Sequence, residues 1–150
     1  MKHSLGTRVT LALLTLALGA CAFEPGSPAS RLADAMRRWD EAGLRSYELT
    51  VNRVCFCPQA NIPVRVRVED GLVVSRTVVA TGAPIQDDLA PWYPDVPGLF
   101  VEIQRAYAQA DDVRVRFDGE TGVPISLEVD YSRQAIDDEV RWTTEGLKPL

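Results

Sequence analysis

Histidine is almost absent from this chain of 150 residues, because His3 is the only one. His3 lies in an N-terminal segment that we expect to be removed, so the processed chain would contain no imidazole. This excludes Ser-His-Asp and Cys-His catalysis and zinc or copper sites with histidine ligands. General acid–base chemistry would be left to carboxylates, tyrosines or Lys148. We expect no metal and no cofactor, and this lack of catalytic groups favours a protein that is not an enzyme.

Long apolar runs are also scarce. The run Val9 to Leu18 is too short for a transmembrane helix, which needs about 20 such residues. It follows Lys2 and Arg8 and precedes Gly19-Ala20-Cys21, which is the pattern of a bacterial lipoprotein signal. We therefore predict a lipoprotein signal peptide over residues 1–20 and a lipid, such as palmitate, on Cys21. The alternative is an ordinary secretory signal with a chance cysteine.

The residues after Cys21 suggest where the protein is held. Residues 21–28 are predicted to be the lipidated cysteine and a flexible tether, since proline, glycine and serine dominate AFEPGSP. Several acyl chains would anchor the protein stably in the membrane, whereas one chain anchors it only marginally. Ala22, rather than aspartate, follows the cysteine. This favours the periplasmic face of the outer membrane of the cell envelope if the host is Gram-negative.

Positive charge is in deficit. The net charge is −5, and removal of residues 1–20 takes away Lys2 and Arg8 but no acid, which lowers it to −7. Such a charge argues against nucleic acid and against electrostatic docking on anionic lipid. Residues 29–150 are long enough for a single domain with a proper core.

The hydrophobic pattern predicts an α+β fold. A helix is expected from about Pro28 to Ala42, with Ser27 as its N-cap and Gly43 as its stop, and a second from about Gly98 to Ala110. Segments of alternating polarity before and after the second helix predict strands. We therefore expect an antiparallel sheet of about six strands with two helices on one face, in the order α-β-β-β-α-β-β-β. The two halves could be a degenerate αβββ repeat.

The sheet face opposite the helices is expected to be charged. It could be a solvated face laced with salt bridges, or a docking surface for an acidic partner. The residues predicted to lie on it are Arg65, Arg67, Arg114, Arg116, Glu128, Asp130 and Arg141.

Cys55-Phe56-Cys57-Pro58 is the chemically distinctive motif outside the signal. Both cysteines continue the inward phase of Tyr47 to Val51, and an exported chain would be in an oxidising compartment. Residues i and i+2 of a strand lie about 6.7 Å apart at Cα, so a disulfide needs a bend. So tight a bridge gains little entropy and tends to be readily reduced. Three interpretations remain open: a structural disulfide, two buried inert thiols, or a dithiol that is redox-active or binds a soft metal such as Cu(I). Arg53 could activate a thiolate only by electrostatics.

Two further features are candidates for binding. Trp92 and Tyr93, between prolines in the long loop 81–98, could form a rigid aromatic knob for a partner or fold back over the core. Pairs of acidic residues invite a calcium interpretation, but their spacing does not match an EF-hand loop.

Several motifs resemble an uncharacterised bacterial lipoprotein family catalogued as domain of unknown function 6174. The resemblance spans most of residues 32–147, and Phe117 departs from it because tyrosine is usual there. It implies a single domain in the cell envelope and provides no activity or catalytic residue to transfer. The residues that carry it are Trp39, Gly43-Leu44, Tyr47, Cys55-Phe56-Cys57-Pro58, Val66 to Gly71, Leu99-Phe100, Phe117-Asp118, Thr121-Gly122, Pro124, Asp130 and Asp137-Asp138.

Two hypotheses of function follow. The first is a lipid-anchored binding or scaffold module of the cell envelope, without catalysis, whose partner is an envelope protein or a glycan. The second is a thiol-redox or metal-handling lipoprotein centred on Cys55 and Cys57.

Overall fold

A computed structural model describes residues 26–58 and 60–150. The predicted signal peptide, the lipidation site Cys21 and residues 22–25 of the predicted tether lie outside the described residues. Pro28, expected at the end of the tether, is the first residue of a helix. In the described part of the chain, no helix is long and apolar enough to cross a membrane.

The first helix, α1, spans Pro28–Ala42 and has the predicted ends. The Ser30 backbone N–H donates to Ser27 Oγ at 3.1 Å, which satisfies one of the free donors of the first turn. At the other end Gly43 has φ 63°, and its N–H donates to the Asp40 carbonyl at 3.2 Å. A left-handed residue of this kind ends a helix with little strain only if it is glycine.

The fold is α+β, with one antiparallel sheet of six strands in the order β3-β2-β1-β6-β5-β4. The predicted class and element order are confirmed. The remaining elements are β1 (Tyr47–Cys55), β2 (Val64–Glu69), β3 (Leu72–Val78), a 3₁₀ helix (Asp87–Trp92), α2 (Val96–Gln109), β4 (Asp112–Phe117), β5 (Pro124–Asp130) and β6 (Val140–Pro149).

The second helix begins earlier than predicted, at Val96 rather than Gly98. Asp95 is its N-cap, and its Oδ1 accepts from the Gly98 N–H at 2.9 Å. Pro97 lies in the first turn, where its missing N–H costs nothing. The prolines at the end of the preceding loop therefore do not prevent the helix from beginning at Val96.

Each half of the chain forms one block of the sheet with the same internal order, β3-β2-β1 in the first half and β6-β5-β4 in the second. The two blocks meet where β1 pairs with β6. Cys55 at the end of β1 is the Cα partner of Val140 at the start of β6. The two halves therefore share both the order of their elements and the order of their strands in the sheet, as expected for an αβββ repeat.

The core lies between the sheet and the helices. Inward side chains of β1, β2, β5 and β6 form one buried cluster with side chains of α1 and α2, as expected for a sheet covered on one side. On β2 and β5 the charged residues predicted for the opposite face alternate with these buried residues, and on β4 they alternate with partly buried apolar residues. The members from the central strands are Tyr47, Leu49, Val51, Val64, Val66, Val68, Leu127, Val129 and Trp142.

Candidate functional site

The Cys55-Phe56-Cys57 segment lies where the central strand β1 ends. Cys55 and Cys57 are joined in a disulfide with a Cα–Cα distance of 5.3 Å, within the range that a disulfide accepts. The chain then folds back, and the Asn61 N–H donates to the Arg53 carbonyl at 2.8 Å. This bend brings the two cysteines closer than they would be in an extended strand. Phe56, between them, is 80% exposed.

Arg53, which the sequence offered as an electrostatic activator of a thiolate, lies beside both cysteines. Its side chain shares the inward phase of β1, and its Cζ lies 4.4 Å from the centroid of the Trp92 ring and 5.2 Å from that of Trp142. These are distances at which a cation is attracted to an aromatic face. Nη1 of Arg53 lies 2.8 Å from Sγ of Cys55 and 3.4 Å from Sγ of Cys57. A caged guanidinium therefore points at both sulfurs of the disulfide.

The electrostatics of Arg53 are those of a cation with little compensation. Burial lowers the pKa of Arg53, and the charge interactions with Tyr131, Tyr93 and Glu102 oppose this shift. Its Nε is buried without a hydrogen-bond partner, and among residues 26–58 and 60–150 no carboxylate forms a salt bridge with it. An arginine nevertheless stays protonated in a protein. The site thus holds a positive charge without a salt-bridge partner in the described residues, and the carboxylate that acts on it, Glu102, is itself paired with Arg105.

Trp92 and Tyr93 fold back over the core, which was one of the two interpretations of their loop. Tyr93 is 1% exposed, and burial raises the pKa of its phenol. Its carbonyl accepts from Arg76 Nε at 2.7 Å. The Trp92 carbonyl accepts from Trp142 Nε1 at 3.1 Å, while the Trp92 ring covers Arg53. The expectation of an exposed aromatic knob is therefore corrected, because both residues are held inward by contacts that the sequence alone could not reveal.

An open groove of about 460 Å³ lies beside Phe56. We call it the acidic groove, because acidic side chains outnumber basic ones in its lining. Two ion pairs lie in it, from Arg114 Nη2 to Asp112 Oδ2 at 2.8 Å and from Arg141 Nε to Glu128 Oε1 at 3.2 Å. The residues that line it are Val54, Cys55, Phe56, Asp112, Arg114, Glu128, Val129, Asp130, Asp137, Glu139, Val140 and Arg141.

Three carboxylates of the acidic groove are left over after this pairing. Asp130, Asp137 and Glu139 form no salt bridge within the part of the chain that the structure describes. Asp130 is also the direct cross-strand partner of Asp112, an arrangement of like charges that is unfavourable. Its Oδ1 is buried without a hydrogen-bond partner. The acidic groove therefore suits a ligand that supplies positive charge.

Outside the acidic groove, Arg67 forms salt bridges on the charged sheet face, whereas Arg65 and Arg116 form none within the described residues. Arg67 contacts Glu48 at 2.7 Å and Glu69 at 2.8 Å. Exposed ion pairs of this kind contribute about 0–1 kcal/mol each to the free energy of unfolding. They therefore add little to the stability of the fold. These pairs occupy Arg67 alone, so the interpretation of this face as a docking surface for an acidic partner rests on Arg65 and Arg116.

The acidic pairs do not form a cation site. Among residues 26–58 and 60–150, no group of three or more histidine, cysteine, aspartate or glutamate side chains could hold a metal ion. Asp118 has a structural role instead, because its Oδ1 accepts from the Thr121 N–H and Oγ1, both at 2.7 Å, and from the Glu120 N–H at 3.1 Å. These bonds, those from Thr121 first, lower the pKa of Asp118 and fix the turn between β4 and β5.

Comparison with known proteins identifies a family but no characterised relative. A family model described as "Family of unknown function (DUF6174)" matches residues 31–149. No curated protein and no solved structure matches the chain.

Proposed function

This chain belongs to the family of unknown function DUF6174, and from its structure we propose that it is a lipid-anchored protein of the cell envelope that binds a partner without catalysis. The signal-like sequence that ends at Cys21 supports the anchor. The partner would be an envelope protein, bound at the Cys55 end of the sheet through Phe56 and the acidic groove.

One observation carries this proposal. A large aromatic side chain, Phe56, is 80% exposed on a tip whose two flanking residues are joined by a disulfide. Binding energy in protein interfaces is concentrated in aromatic anchors at rigid positions. A tip that is already ordered loses less conformational entropy when it binds, so Phe56 is well suited to this role.

The charges beside Phe56 favour one class of partner. Asp130, Asp137 and Glu139 form no salt bridge within residues 26–58 and 60–150, and they lie with Phe56 in the lining of one groove. A protein segment with an apolar side chain flanked by lysine or arginine would match both features. A neutral glycan would leave the unpaired carboxylates without a counter-charge.

Site-specific photo-crosslinking in cells tests this proposal. The full chain would carry benzoylphenylalanine in place of Phe56, and a matched control would carry it in place of Leu72, which is 71% exposed at the turn between β2 and β3. We expect a discrete protein adduct from position 56 that the control does not give. Identical adducts from both positions, no adduct, or an adduct with glycan only would overturn the proposal.

A further inference from the structure

We infer that the Cys55–Cys57 disulfide is exchangeable with partner thiols, and that Arg53 positions the reaction by stabilising the Cys55 thiolate. The two sulfurs and the guanidinium are already in contact, since Nη1 of Arg53 lies 2.8 Å from Cys55 Sγ and 3.4 Å from Cys57 Sγ. This inference concerns a different activity from partner binding and does not depend on it.

The charge balance of the site stabilises the thiolate that forms at Cys55 when the disulfide opens. In the disulfide form the Arg53 cation faces two neutral sulfurs, which are weak acceptors. Its Nε has no hydrogen-bond partner, and no carboxylate in the described residues forms a salt bridge with it. A thiolate at Cys55 would supply the missing anion in a partly desolvated setting, where a charge pair is stronger than in water. An adjacent arginine lowers the pKa of a cysteine thiol for the same reason.

The two tryptophans hold the guanidinium in place for this role. The Trp92 and Trp142 rings lie 4.4 and 5.2 Å from Arg53 Cζ. The Trp142 Nε1–H bond to the Trp92 carbonyl, at 3.1 Å, ties the two aromatic residues to each other. An arginine confined in this way loses little conformational freedom when it pairs with a thiolate.

The sequence spacing of the pair also favours exchange. A disulfide between residues i and i+2 closes almost no loop, so it constrains the unfolded chain very little and gains little stability from that source. The cysteines are partly exposed, which gives an attacking thiolate a route to the bond.

The reaction balances with a dithiol partner. A thiolate of the partner attacks Cys57 Sγ and forms a mixed disulfide. The Cys55–Cys57 bond breaks, and its electron pair leaves on Cys55 Sγ beside Arg53. The partner's second thiol gives its proton to water, and the resulting thiolate attacks the partner's own sulfur in the mixed disulfide. This releases Cys57 Sγ as a thiolate, which takes a proton from water. The partner dithiol is oxidised to a disulfide, and the Cys55–Cys57 pair is reduced by two electrons.

Equilibration with glutathione tests the inference. The full chain, purified from membranes in detergent, would be equilibrated with mixtures of reduced and oxidised glutathione at pH 7, and the redox state of the Cys55–Cys57 peptide read by alkylation and mass spectrometry. We expect the native protein to exchange. Arg53→Gln should shift the equilibrium toward the disulfide, by about tenfold for each unit by which it raises the pKa of a Cys55 thiol that is ionised at pH 7, and should slow alkylation of the reduced pair at pH 7.

Two further variants keep the test decisive. Arg65→Gln removes an exposed arginine from the opposite face of the sheet and should leave the equilibrium unchanged. Arg53→Lys keeps the charge and should fall between the wild type and Arg53→Gln, which separates electrostatics from packing if Arg53→Gln does not fold. A wild-type disulfide that survives millimolar dithiothreitol in the folded protein, or an equilibrium that is the same in Arg53→Gln, would overturn the inference. So would a reduced pair that binds Cu(I) but does not exchange with glutathione.

Discussion

Gly122 offers the sharpest test of how α1 packs on the sheet. It lies in the turn between β4 and β5 with φ 76°, and a Cβ at this position would overlap the backbone carbonyl of Ala35 in α1. Gly122→Ala therefore adds two costs, the strain of a left-handed non-glycine residue, about 1–2 kcal/mol, and the displacement of a packed helix, about 1–3 kcal/mol. We expect a loss of about 2–5 kcal/mol in the free energy of unfolding.

Gly146→Ala is the matched control for this prediction. Gly146 has φ 66°, but a Cβ there would meet no atom within 4 Å, so only the backbone strain of about 1–2 kcal/mol applies. Urea unfolding would measure both variants. With a slope of about 1.5 kcal/mol per M, a loss of 3 kcal/mol lowers the midpoint by about 2 M. Equal losses in the two variants would refute the reasoning, since the close approach of α1 would then contribute nothing.

Three further predictions follow from single groups. Asp118→Ala should lower the free energy of unfolding, measured in urea, by about 1–2 kcal/mol, because the hydrogen bonds from Thr121 are lost. In the wild type this contribution to stability should disappear as the pH falls through the lowered pKa of Asp118. The variant should show no such loss. Burial raises the pKa of Tyr47 from 10 to about 12, so the free energy of unfolding of the wild type should fall as the pH rises from 10 to 12. Tyr47→Phe should show a smaller fall when urea unfolding is measured across this pH range. An equal dependence of stability on pH in the two proteins would contradict the burial argument. Cys21→Ser should abolish lipid attachment and release the chain from membranes, as read by mass spectrometry of the N-terminal peptide and by fractionation; a variant that stays in the membrane fraction would exclude the lipid as the anchor.

Much of the fold can be predicted from the sequence, because helix ends and strand alternation are determined by residues that are neighbours in the chain. Ser27 and Gly43 marked both ends of α1, and alternation marked the strands. Such local patterns do not identify strand partners, so the pairing of β1 with β6 could not be predicted from them. The sequence predicts α2 from about Gly98, two residues late, because Pro97 in the first turn is compatible with a helix that begins at Val96.

The candidate site shows the same division. The cysteine motif is visible in the sequence, which also offers Arg53 as an electrostatic activator of a thiolate. Its aromatic cage was not predictable, because Trp92 and Trp142 come from distant parts of the chain. The acidic groove likewise depends on strand pairing, which sets Asp112 opposite Asp130.

The central claim is that a partner docks at the Cys55 end of the sheet through Phe56 and the unpaired carboxylates. The most direct measurement is the yield of the photo-crosslink from position 56 in the presence of Asp130→Asn, Asp137→Asn and Glu139→Gln together. The control is Asp34→Asn with Glu41→Gln, which removes exposed carboxylates from α1. We predict that the groove variant loses most of the protein adduct while the α1 variant keeps it. An adduct of undiminished yield in the groove variant would contradict the account.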